Sequence, residues 1–251
     1  MKTMRLTVRQ AWMEQRNFWR SAEYALFTFA LPLALLLLLG TANGRGYLPG
    51  GHVKQITVFV PSILAFAVIV AAYVNLGTKI TVLRHDGVLK RIRTTPLPSG
   101  AYLVGHIAST VATTLAIVGC TALAGWLVFG AAPRLAGIFF LTAGLGLGII
   151  CFAALGLAVS SVIKSAESAS PITNVSYLPI AIVSGIFNPT MGVPRWLSHA
   201  ASALPVKALA QVLEDAYTPA THSFPAWDLV ILLAWAAGGA AIAAWRFRWQ
   251  P

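Results

Sequence analysis

Val58–Gly77 reads VFVPSILAFAVIVAAYVNLG, and Thr78–Gly100 continues as TKITVLRHDGVLKRIRTTPLPSG. The first piece carries no charged side chain and has the ~20 apolar residues a helix needs to cross a bilayer. The second holds Lys79, Arg84, Lys90, Arg91 and Arg93. An uncharged run of spanning length that opens into a basic loop is the pattern of a membrane helix emerging on its positively charged side.

Five further runs qualify by the same measure: Tyr24–Gly40, Leu103–Phe129, Ala136–Ile163, Ser170–Phe187 and Ala226–Trp245. Among the six, Asp228 is the only Lys, Arg, Asp or Glu. The composition agrees. Hydrophobic residues make up 57% of the 251 residues and charged residues 10%, against about 25% charged in a soluble domain. A soluble domain of this size would leave a large apolar surface in water. The fold class expected is therefore all-α integral membrane: one domain over 1–251 with six transmembrane helices. The charged segment ahead of Tyr24 is too long for the basic region of a secretory signal, and GTANGRGYLPG after the apolar run has no A-x-A cleavage pattern. The first span is read as retained.

Net charge is +11. On a folded soluble domain this excess would point to nucleic acid, but here it alternates with the spans. Thirteen of the 18 basic residues fall on the side of the termini: Lys2, Arg5, Arg9, Arg16, Arg20, Lys79, Arg84, Lys90, Arg91, Arg93, Lys164, Arg246 and Arg248. The positive-inside rule then puts both termini in the cytoplasm and removes nucleic acid as a partner. Cys120 and Cys151 both lie in apolar runs and read as packing residues, with no metal-ligand cluster.

Three segments outside the spans carry specific expectations. In the N-terminal segment, Arg5, Arg9, Arg16 and Arg20 fall within about 60° of a helical wheel at ~100° per residue. Val8, Ala11, Trp12, Phe18 and Trp19 fill another arc of about 120°. That fits an amphipathic helix in the membrane interface, Trp in the headgroup zone and Arg toward anionic lipid. Arg84–Arg93 can form a short cytoplasmic helix, stopped by Pro96 and Pro98. It is either a docking knob for a soluble partner or an ordinary basic loop. After Phe187, Pro189, Pro194 and Pro205 break the chain into pieces too short to span, such as WLSHAAS and PVKALAQVLED. They read as half-helices dipping into the outer leaflet.

At this point RHDGVLKRIRTTPLPSGAYLVGH (84–106) resembles the signature loop of ABC-2-type exporter permeases. LGLAVSSVIKSAESASPITNVSYLPIAIVSGIFNPTMGVPRWLSHAASALP (155–205) resembles the later half of the same family. The nearest subgroup by resemblance is the daunorubicin-type drug exporters. His85, Val88 and His106 depart from the family's usual residues. The resemblance implies a permease subunit moving a drug-like or amphipathic molecule outward, or alternatively a lipid or glycan. It implies two copies of a separate ABC ATPase, which would bind the ATP and Mg, and pairing as a homodimer or with a related permease in the bacterial plasma membrane. It further implies an ATPase-coupling helix with Arg84, His85, Asp86, Gly87, Leu89, Lys90 and Arg91, braced by the N-terminal helix. The substrate path would run between the second and fifth spans of two subunits, with Tyr73, Asn75, Asn174, Tyr177 and Phe187 as candidate lining. Asn188, Pro189, Pro194 and Trp196 would form an outer gate.

Other classes fit less well. There is no G-x-x-x-x-G-K-[ST] to cradle phosphates, so no ATPase site and no cofactor are expected on this chain. His52, His85, His106, His199 and His222 are dispersed over both sides, which does not suit a membrane enzyme. The spans lack a mid-membrane ionisable residue, as an ion-coupled carrier usually requires. Gly144 and Gly148 form a GxxxG that either permits a close helix contact or arises by chance in a Gly-rich run.

Overall fold

The computed structural model describes residues 2–43, 46–47, 54–92, 94, 98–187, 194–218 and 225–246. Among these, five helices are long and apolar enough to cross a membrane. They follow an N-terminal helix α1 (Lys2–Arg20). The first is α2 (Ala22–Asn43). The second is one continuous rod made of α3 (Ile56–Val68), a π-helical segment (Ile69–Asn75) and α4 (Leu76–His85). A one-turn helix α5 (Val88–Ile92) leads to α6 (Ser99–Phe129), the third. A short 3-10 turn (Leu135–Gly137) opens α7 (Ile138–Ser160), the fourth. Then come α8 (Ala169–Val183), α9 (Arg195–Ser202) and α10 (Pro205–Tyr217). The fifth long helix is α11 (Ala226–Arg246).

The run Ser170–Phe187, expected as a span, is shorter as a helix. At 1.5 Å per residue, the 15 residues of α8 reach about 22 Å, less than the ~30 Å hydrocarbon thickness. Gly185 ends it in the left-handed conformation, φ 79°. Its amide donates to Ile182, and the Ile186 amide reaches back to Ala181 at 3.3 Å, which meets carbonyls a helix end leaves open.

The rod α3–π–α4 is the axis of the molecule. Almost every residue of its membrane-length stretch is buried, whereas α2, α6, α7 and α11 are each about a third buried or less. Those outer helices expose Leu26, Phe27, Leu38, Leu123, Leu127, Ile150, Leu233 and Ile242. A helix apolar on its exposed side has hydrocarbon as its natural solvent.

The two pieces read as half-helices form α9 and α10, and nine of the thirteen residues of α10 are buried, packed on α3, α7 and α11. Pro205 opens it, preset for the first helical turn. Glycines of α7 and of the turn before it make the room. A Cβ on Gly148 would meet the Leu209 side chain at 2.6 Å, one on Gly144 would meet Val212 at 2.7 Å, and one on Gly137 would meet the Ala216 carbonyl at 2.5 Å. The GxxxG of the sequence is thus an intrachain groove for α10. Cys151 is buried and Cys120 exposed, both as free thiols.

Candidate functional site: a two-loop surface, a polar brace and an apolar crevice

The basic loop after α4 is built differently from the single helix expected over Arg84–Arg93. The chain turns at Asp86–Gly87, where Gly87 takes φ 68°, and the helix resumes only for Val88–Ile92. The left-handed φ needed to reverse the chain is open to Gly at little cost, so the turn splits the helix there. Amides of Asp86 and Gly87 donate to Val82 (2.9 Å) and Arg84 (3.1 Å), closing α4.

The seven candidate coupling residues then separate. His85, Asp86, Lys90 and Arg91 are exposed, Gly87 supplies the turn, and Leu89 is fully buried beneath it. Arg84 is buried as well, and its guanidinium donates to the Ile163 carbonyl after α7. Arg84 therefore holds structure rather than offering charge. Arg93 and Pro96 lie outside the described residues.

The α7–α8 loop reached by Arg84 is itself fixed. The Ser165 and Ser168 hydroxyls bond at 2.8 Å, and the Ser168 hydroxyl also donates to the Ser165 carbonyl at 3.1 Å. Lys164 and Glu167 point outward. Glu167's carboxyl is held below the ordinary range, first by its own backbone amide, then by the Ser165 hydroxyl, with His85 adding a smaller favourable field.

The N-terminal helix shows three faces where the sequence wheel suggested two. Arg5, Arg9, Arg16 and Arg20 are exposed, as are Val8, Trp12 and Trp19. The Arg16 guanidinium sits 5.6 Å from the centre of the Trp12 ring. Ala11 and Phe18 turn away from that group, toward the protein, on a third face with Gln10, Glu14 and Gln15. This face lies on α6, where Gly105 admits Gln10 so closely that a Cβ would meet its Cγ at 2.6 Å. Glu14 is 7% exposed. It accepts from Lys79 Nζ of α4 at 2.6 Å and from Gln10 Nε2 at 2.9 Å, and lies 3.4 Å from His106 Nε2 of α6. The Gln15 amide lies 2.9 Å from the Ser109 hydroxyl and 3.2 Å from that of Thr113. The Glu14 carboxylate thus ties α1 to α4, and the Gln15 amide ties α1 to α6. Sequence reasoning missed Glu14, although a lone acid opposite the arginine arc was a usable signal.

The candidate path residues divide around the π-helical segment. A π-turn adds a residue to the helical turn and redirects the side chains beyond it, a feature common at functional sites. Tyr73 faces an apolar crevice of about 300 Å³ shared with Tyr177, Phe152, Leu155, Ile180 and Ile242. Tyr73 and Ser176 hydroxyls share a 2.6 Å hydrogen bond there, so the crevice is polar at one internally satisfied point. Trp235 at the rim donates Nε1 to the Ala203 carbonyl at 2.9 Å. Asn75 instead lines a small polar cavity with Lys79, His106, Ser109 and Thr113. Asn174 bonds its own helix at the Ser170 carbonyl, 2.9 Å away. The Phe187 ring packs edge-on against Phe66 at 5.2 Å. Of the expected outer gate, Pro194 and Trp196 are exposed, while Asn188 and Pro189 lie outside the described residues.

A family model described as ABC-2 type transporter matches residues 6–216. No curated protein matches the chain.

Proposed function

The chain belongs to the ABC-2 type transporter family, and from that premise we propose that it is the six-span permease of an ATP-driven exporter for amphipathic small molecules. The family makes it a transmembrane permease subunit of an ABC transporter with no ATPase site of its own, and such permeases normally work with an ABC ATPase. In our reading α8, continued by the half-helices α9 and α10, counts as the fifth crossing. Both termini and the turn at Gly87 then face the cytoplasm of a bacterial cell, as the positive-inside rule requires.

The observation that carries the reading is the exposed quartet His85, Asp86, Lys90 and Arg91 on a turn welded to the central rod. Two ATPase subunits, one per permease of a homodimer or a related pair, would push this turn as they close on ATP. The thrust would pass up α4 into the π-helical segment. It would also pass to α8, because Thr78 and Thr173 hydroxyls touch at 3.2 Å and α8 carries Tyr177 into the crevice. Alternating access is then a movement of α8 against α7 and α11 that opens and closes the crevice. Its nearly all-apolar lining favours hydrocarbon-bearing cargo over ions, which would leave their hydration unreplaced there.

The test uses the permease co-purified with the ATPase encoded beside it. Substituting Asp86 and Gly87 together should keep the permease folded and abolish permease-dependent ATP hydrolysis. Unchanged assembly and unchanged coupled hydrolysis would end this reading. Cells expressing both subunits should also accumulate less of a hydrophobic cationic dye; no effect across a dye and drug panel, with coupling intact, would redirect the substrate to lipid or lipid-linked glycan.

A further inference from the structure

We propose that the apolar crevice opens sideways to the bilayer and holds one acyl chain of an anionic phospholipid of the cytoplasmic leaflet, its phosphate met by Lys164 and Arg246. The inference rests on the reading above for the orientation of the chain, and adds a resident lipid that reading does not contain.

The crevice exists because α8 packs on α4, the π-helical segment, α9 and α10, and hardly touches α7 or α11. Left empty, a slot of about 300 Å³ forfeits the dispersion contacts of both walls. Water is a poor filler, since a buried water needs two to four polar partners. Of the four polar side chains in the lining, Tyr73 and Ser176 bond each other, and Trp235 donates to the Ala203 carbonyl. A methylene chain asks for no hydrogen bond and gains contacts along its whole length.

The slot reaches the outside of the bundle. Val162, Trp235 and Ile242 line it and are also 52%, 40% and 46% exposed. They join the apolar surface that α7 and α11 turn outward through Ile150 and Leu233. A chain can therefore enter from the bilayer without crossing water.

The headgroup has partners at the same end. A Cβ on Gly239 would meet the Leu155 amide nitrogen at 3.0 Å, so α11 and α7 touch backbone to backbone there. Seven residues further, α11 is at Arg246 and α7 at Val162. Arg246 follows Ile242 by one helical turn and shares its face. Lys164 follows Val162 by two residues, and both cations are exposed. Trp245, 85% exposed beside Arg246, suits the headgroup depth. Glu167, the acid of the same loop, is engaged by Ser165 and lies in the field of His85, toward the Gly87 turn. Two cations at a cytoplasmic surface favour an anionic lipid over a zwitterionic one.

The test places the full chain in nanodiscs containing phosphatidylglycerol with a diazirine on one acyl chain, and in a second set phosphatidylcholine with the same label. After irradiation, labelled peptides are mapped by mass spectrometry. Peptides spanning 155–162 and 176–180 should be labelled more by phosphatidylglycerol than by phosphatidylcholine, whereas the outer face of α2 should take both equally. Lys164→Gln with Arg246→Gln, both on the surface, should lower phosphatidylglycerol labelling of the slot by roughly three- to tenfold, the scale of two solvent-accessible charge contacts. Ala158→Trp should fill the slot and remove its labelling while the α2 label persists. Equal labelling by the two lipids, or a slot labelled no more than α2, would mean ordinary surrounding lipid and overturn the proposal. If the slot takes no label while the hydrophobic dye is still exported, the crevice belongs to cargo alone, and the inference falls with the functional reading intact. A slot labelled by phosphatidylglycerol in a chain that exports no dye or drug would keep the lipid site and remove the substrate reading.

Discussion

Removing the charge at Glu14 should loosen α1 from the bundle by a predictable amount. Glu14 is one of the few buried charges in the fold, and its strongest partner, Lys79 Nζ at 2.6 Å, has a side chain 39% exposed. Coulomb attraction at close range is about 4 kcal/mol with an effective dielectric of 20. Lys79's partial hydration and the cost of burying Glu14 both reduce it. The net coupling should lie between exposed pairs, up to ~1 kcal/mol, and the ~3–5 kcal/mol lost when a fully buried pair is broken; about 2 kcal/mol is the expectation. The two single mutants should differ. Glu14→Gln keeps an acceptor for Lys79 and leaves a cation that can reach water. Lys79→Met strands a carboxylate whose remaining contacts are Gln10 and His106, so it should be the more damaging. A double-mutant cycle on the detergent-solubilised protein, read by unfolding midpoint and by tryptic cleavage at Arg16 and Arg20, measures the coupling. A coupling below about 0.5 kcal/mol, or Glu14→Gln worse than Lys79→Met, would refute the brace.

Other substitutions probe other joints. Gly87→Ala forces a Cβ into φ 68° with nothing nearby to clash, so it should cost about 1 kcal/mol by backbone strain alone and lower ATPase coupling more than assembly. Gly137→Ala places a Cβ 2.5 Å from a backbone carbonyl oxygen of α10; overpacking of this kind costs ~1–3 kcal/mol, visible as a lower yield of folded protein and a lower midpoint. Tyr73→Phe removes one 2.6 Å bond inside the crevice, at about 1 kcal/mol, and should shift the dye preference of export if the crevice holds cargo.

Much of the architecture was legible in the chain because spanning a bilayer imposes a one-dimensional rule: enough apolar residues in a row, with cations sorted to one side. The same rule counts Ser170–Phe187 as a full span, where the helix is shorter than the apolar run. Its apolar run is long enough, but Gly185 stops the helix at 15 residues. The break in Arg84–Arg93 had a local signal too, since Gly87 sits at the turn. Five of the coupling candidates proved exposed or turn-forming, and two, Arg84 and Leu89, are buried anchors. No wheel could assign that difference, because exposure depends on what packs from elsewhere in the chain.

By itself, then, the sequence determined the apolar helices, the basic side and the places where Gly and Pro end helices, all consequences of solvent preference and local backbone geometry. Only the tertiary structure decided that Glu14 joins α1 to α4, that Tyr73 and Asn75 face different cavities, and that Arg84 holds the loop at Ile163. In each case the partner lies far along the chain. A buried polar group must find its hydrogen bond wherever packing brings one, and no spacing in the sequence encodes that meeting.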